Sequence, residues 1–165
     1  MERHLRSAGI VLVLFILQAT FIPYVSISGY LPDIFLPWLI YLALRRGQTE
    51  ATVYGFAVGL LQDATATRFL GLAALSKTIC CFVAGYFLNE NTTEQTLGSY
   101  RYVLIVALCS FIHDVVYFIV FFQGVEGSLV VHVLQFSIAS TVYTGVISIL
   151  PMFAFSRKYS TSWAQ

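Results

Sequence analysis

Residues 51–63 read Ala51-Thr-Val-Tyr-Gly55-Phe-Ala-Val-Gly59-Leu-Leu-Gln-Asp63. The stretch is almost wholly apolar, carries two glycines four residues apart and ends on an aspartate. Ala51, Gly55, Gly59 and Asp63 recur every four residues, so on a helix they form one slowly drifting stripe. Small residues at that spacing let two helix backbones approach closely. Between helices in lipid, this packing is what drives association, because lipid tails already solvate apolar side chains. The stripe therefore marks a helix–helix contact face. Its first reading is a contact inside this chain, its second a contact with a partner's transmembrane helix. Asp63, at the end of the stripe, suits the capping of free backbone amides at the next helix start. Facing water or pairing with Arg68 are the other readings.

That argument needs a membrane, and the composition supplies one. Of 165 residues, 58% are hydrophobic and 10% charged, against about 25% charged in a soluble domain. Too little polar material exists to coat a water-facing surface, and the formal charge of +1 gives no bulk attraction to nucleic acid. Long unbroken apolar runs favour spanning helices over barrel strands. The fold class is an all-α polytopic membrane protein, a six-helix transmembrane bundle forming one domain over 1–165. Its spans fall at about 7–24, 33–44, 51–62, 69–88, 102–122 and 128–155. The first run is longer than a signal-peptide core and lacks a clear cleavage site, so it reads as an uncleaved span.

The second and third runs are short. Eleven residues separate Asp33 from Arg45, roughly 17 Å of helix against a hydrocarbon core of about 30 Å. Whether these two segments cross fully is left open. Pro32 suits a helix start, and Pro37 is a potential bend. Placing both termini in the cytoplasm puts Arg3, Arg6, Arg45, Arg46, Arg101, Arg157 and Lys158 inside and Arg68 alone outside, as the positive-inside bias requires.

Ionisable groups inside spans cost about 2.5–3.5 kcal/mol each by insertion scales and need partners. Lys77 and Asp114 both lie about 12 Å below the outer boundary by helix rise, so a Lys77–Asp114 salt bridge is expected. Gln18, His113, His132 and Gln135 fall in the same half. Together they read as a buried polar network pinning helix registry. A pocket open to the outside and a proton path are the other readings. His113 and Asp114 are adjacent and project about 100° apart on a helix, which gives no catalytic pairing. Cys80, Cys81 and Cys109 lie in apolar runs without metal-ligand spacing and read as packing residues. No phosphate loop, nucleophile elbow or His-Glu-x-x-His motif occurs. No enzyme, cofactor or metal site is expected.

Leu31-Pro-Asp33, Ala43-Leu-Arg-Arg-Gly47, Gly55 through Asp63, and Leu70-Gly-Leu-Ala-Ala-Leu75 occur in that order. Over 29–87 this set resembles the rod shape-determining protein MreD family, with Pro32, Asp33 and Gly71 as motif positions. Phe111-Ile-His-Asp114-Val-Val fits a polar position in that family's fifth span. The resemblance implies a non-catalytic scaffold in the bacterial inner membrane, part of the elongation (rod) complex. Its implied partners are MreC, RodA with its partner transpeptidase, and the MreB filament, besides membrane lipid. A homo-oligomer is possible on this reading. It also implies a bundle similar to the substrate-binding component of energy-coupling-factor transporters. The alternative function is accordingly a substrate-binding subunit of a vitamin-type transporter. Against it, the first span has only Ala8 and Ala19 and so lacks the Ala-x-x-x-Ala that those subunits commonly carry.

Overall fold

The computed structural model describes residues 2–25, 33–65, 70–89, 91–123 and 129–160. Pro32 and Arg68 lie outside them. The described residues are all-helical, with seven helices: α1 (Glu2–Val25), α2 (Phe35–Arg46), α3 (Gln48–Thr65), α4 (Leu72–Gly85), α5 (Thr93–Leu97), α6 (Tyr100–Phe121) and α7 (Leu129–Ser160). Two of these are long and apolar enough to cross a membrane, α6 over its whole length and α7 over Val130–Ala154. The additional helix, α5, is a single turn in the polar stretch 89–100. Its Leu97 is fully buried, where α5 meets α2, α6 and α7.

The shortest of the apolar helices is the central one. α2 touches α3, α4, α5, α6 and α7. Phe35, Leu36, Pro37, Leu39, Ile40, Leu42, Ala43 and Leu44 are all buried. A twelve-residue helix is about 18 Å long and falls short of a bilayer, and being wrapped in protein is how such a segment avoids the mismatch. Pro37 sits in the first turn, where no intrahelical N–H is needed, so it imposes no bend. The Tyr102 hydroxyl donates to the Pro37 carbonyl at 2.7 Å, tying α6 to α2. Pro151, by contrast, lies inside the helical run of α7.

The close α3–α4 contact follows from the glycine stripe. A Cβ built on Gly59 would stand 2.3 Å from the Ala74 Cα, and one on Gly55 would stand 2.6 Å from the Cys81 Sγ. Ala51 is fully buried. The stripe thus lies against a helix of the same chain. All three cysteines are buried.

The Arg46 guanidinium ties α1 to α2 by donating to the Ser7 hydroxyl at 2.9 Å, and it also bridges Glu50 of α3 at 2.8 Å. Val11, Leu14 and Phe15 of α1 pack on the core, while Leu12, Val13 and Ile16 face outward.

Candidate functional site: a polar layer at the start of the central helix

α2 begins inside the bundle, and its first backbone amides have no intrahelical acceptor. In an apolar setting each unsatisfied amide is costly, so partners must come from elsewhere. Three are supplied by three different elements. The Asp33 N–H donates to Thr144 Oγ1 of α7 at 3.4 Å, and the Ile34 N–H donates to Gln18 Oε1 of α1 at 3.2 Å. The Phe35 N–H donates to Asp33 Oδ1 at 2.9 Å, the aspartate capping its own helix. The second carboxylate oxygen, Asp33 Oδ2, accepts from Lys77 Nζ of α4. Lys77 is 1% exposed and Asp33 7%, so neither charge has water to fall back on. One carboxylate both caps α2 and neutralises the buried ammonium.

On α6 a second polar pair is buried, headed by His113. Its Nδ1 stands 3.0 Å from Asp114 Oδ1, and Thr141 Oγ1 of α7 donates to Asp114 Oδ2 at 3.2 Å. The His113 ring stacks on Tyr117 with centroids 6.1 Å apart. Ser110 Oγ, His113 Nε2 and Ser137 Oγ are buried without a hydrogen-bond partner among the described residues. A bound water or a polar ligand would satisfy atoms of this kind.

The expected Lys77–Asp114 bridge is replaced by Lys77–Asp33. In the sequence reading Asp33 is the start of the second run and a motif position, with no depth counted for it. The short α2 starts at the depth of Lys77, and Asp114 is held by His113 and Thr141. The reading that His113 and Asp114 point apart is also corrected. Their Cβ directions diverge, but both side chains are buried, and the imidazole reaches back to the carboxylate. Gln18 is half-buried and contributes its bond to α2. His132 and Gln135 are exposed on α7 and do not join this layer; His132 packs near Phe122 instead. Thr141 and Thr144 were missed. The signal for Thr144 is the run Ser137, Ser140, Thr144 and Ser148, a hydroxyl every turn, with each side chain buried.

Asp63 makes a second cap. Its Oδ2 accepts from the Gly71 and Ala74 N–H groups and its Oδ1 from the Ala73 N–H, each at 3.0 Å. Gly71 has φ +95°, a conformation that L side chains rarely adopt. The turn brings three amides of the α4 start round one carboxylate, where the helix dipole also favours negative charge.

Two of the three buried carboxylates among the described residues, Asp33 and Asp63, thus serve helix starts, and the third, Asp114, is held by His113 and Thr141. Among the described residues no group of three or more His, Cys, Asp or Glu is placed to hold a metal ion. A family model described as rod shape-determining protein MreD matches residues 7–162. The chain belongs to the MreD family. No curated protein and no solved structure gives a match. MreD proteins form a bacterial membrane family of shape-determining structural proteins, not a known enzyme family. Membership gives this MreD chain a role in rod-shape determination and an association with the rod-shape machinery.

Proposed function

We propose that this chain is a non-catalytic, multi-pass inner-membrane scaffold of the rod complex. It holds MreC and the peptidoglycan synthase, RodA with its partner transpeptidase, in register with the MreB filament. On this reading α1, α2, α3, α4, α6 and α7 form a six-span bundle akin to transporter substrate-binding components, with both termini and Arg45–Arg46 in the cytoplasm. The observation that carries the reading is the use of the buried polar groups. Lys77–Asp33 secures the start of α2 and Asp63 secures the start of α4, while the outward faces of α1, α3, α6 and α7 are apolar. Such a molecule meets its neighbours through its exterior, not through reactive groups. Co-purification in mild detergent tests this. Recovery of MreC or the synthase with the chain is expected, and consistent absence of both overturns the scaffold.

One observation favours a second reading, binding of a small polar ligand. Ser110 Oγ and His113 Nε2 lie one helical turn apart, buried and without hydrogen-bond partners among the described residues. A stoichiometric small molecule retained by the purified chain, with no rod-complex protein present, would establish that reading in place of the first.

A further inference from the structure

We propose that the flank built from α3 and α4 sits in a locally thinned bilayer, its partner being lipid with a hydrocarbon layer shorter than the one α7 fits. This rests on the reading of the chain as a multi-pass membrane protein and adds to it an unequal hydrophobic height round the molecule.

α3 packs on α2 and α4, whereas α7 packs on α2, α5 and α6, so the two belong to different flanks of the bundle. Along α7, Val130, Leu134, Ile138, Val142, Val146, Leu150 and Phe153 are exposed. From Val130 to Phe153 that stripe rises about 34 Å at 1.5 Å per residue, matching a hydrocarbon core of about 30 Å. Along α3 the exposed apolar side chains Val53, Phe56, Leu60 and Leu61 rise about 12 Å. The exposed polar residues that bound them are Thr49 at one end and Thr65 at the other. From Thr49 to Thr65 the rise is about 24 Å. On the neighbouring arm the exposed apolar side chains run from Leu70 through α4 to Phe87, about 25 Å at helix rise, again short of the stripe on α7.

The hairpin cannot lengthen to match. At one end Asp63 is bonded to the amides of Gly71, Ala73 and Ala74. At the other end Gln48 Nε2 donates to the Phe82 carbonyl at 2.8 Å, and a Cβ on Gly85 would meet the Gln48 side chain at 2.4 Å. Sliding one helix past the other breaks one of these fastenings. Tilting α3 reduces its projected height further, so tilt cannot relieve a deficit of this sign. Thinning of the adjacent bilayer can. Lipid is the occupant that the surface chemistry fits. The outward side chains between Val53 and Leu61, with Leu75 and Phe82 of α4, are hydrocarbon, which lipid tails solvate.

Nitroxide scanning of the full chain in nanodiscs of di-C18:1 phosphatidylcholine tests the proposal, with the buried native cysteines left in place. Single labels go at Thr49, Val53, Ala57, Leu60 and Thr65 on α3, and at Val130, Leu134, Ile138, Val142, Val146 and Phe153 on α7. Collision with oxygen is compared with collision with a water-soluble nickel chelate. The expected result is an oxygen-preferring zone confined to 51–61 on α3, with Thr49 and Thr65 both open to nickel, while the zone on α7 runs from Val130 to Phe153 in the same discs. Shielding of Thr49 and Thr65 from nickel would overturn the proposal by showing a bilayer of ordinary thickness on that flank. Loss of oxygen access along Val53–Leu60 alone would overturn it in favour of a second copy seated there. Absence of an oxygen-preferring zone on both helices would instead remove the membrane-spanning reading beneath it.

Discussion

Lys77 Nζ donates to Asp33 Oδ2 across 44 residues of sequence, joining the middle of α4 to the residue that leads into α2 in a setting with almost no solvent exposure. Breaking such a pair from one side leaves a buried charge alone. Lys77→Met and Asp33→Asn, made singly, are each expected to lose about 3–5 kcal/mol of stability. The double variant removes both charges and is expected to lose less than either single one. Thermal unfolding in detergent measures all three, and a double variant no milder than the singles contradicts the pairing.

The amides at the start of α2 extend the argument to α1 and α7. Thr144→Val keeps shape and removes the acceptor for the Asp33 N–H, and Gln18→Leu does the same for the Ile34 N–H. An orphaned buried donor costs about 1–3 kcal/mol. Both variants are expected to fall in that range by unfolding, whereas Gln135→Leu, on the exposed face of α7, is expected to change little.

Two glycines make a matched comparison. A methyl at Gly59 would lie 2.3 Å from the Ala74 Cα, and the neighbour is backbone, which cannot swing away. Gly59→Ala is expected to force α3 from α4 at a cost of about 1–3 kcal/mol. A Cβ at Gly145 meets nothing within 4 Å, so Gly145→Ala is expected to be neutral or to stabilise α7 by about 0.5–1 kcal/mol. Unfolding midpoints moving in the same direction for both would count against the packing described here.

Asp63 bonds three amides, and removing an N-terminal cap costs about 0.5–2 kcal/mol. Asp63→Ala is expected at the upper end of that range. Asp63→Asn, which retains one acceptor oxygen, is expected to be milder. Hydrogen exchange at Ala73 and Ala74 offers a local readout, since those amides are expected to lose protection first.

The stripe from Ala51 to Asp63 was readable because a four-residue spacing of small residues has few physical uses, and a carboxylate beside a following turn has an obvious set of amides to accept from. The existence of a buried polar layer was readable from Lys77, His113 and Asp114 alone. Its wiring was not. Depth was counted for Lys77 and Asp114 but not for Asp33. The shortness of 33–44 left open whether that run crosses, but only the tertiary fold shows that α2 starts within the protein beside Lys77. Thr141 and Thr144 went unseen because hydroxyls are common in apolar helices, and only the tertiary fold says which ones face inward. α5 is too short to show any helical period.

The most direct test asks whether the buried charges work as fasteners or as chemistry. A rod-shaped bacterium that lacks its own MreD can be supplied with this chain, provided the unaltered chain restores rod shape, and then with the Asp33→Asn/Lys77→Met double variant, its membrane level checked by immunoblot. A scaffold whose polar layer only holds helices together predicts rods with the double variant wherever its level matches that of the unaltered chain. Round cells at a matched level of folded double variant would show that the charges themselves act, and would contradict the account.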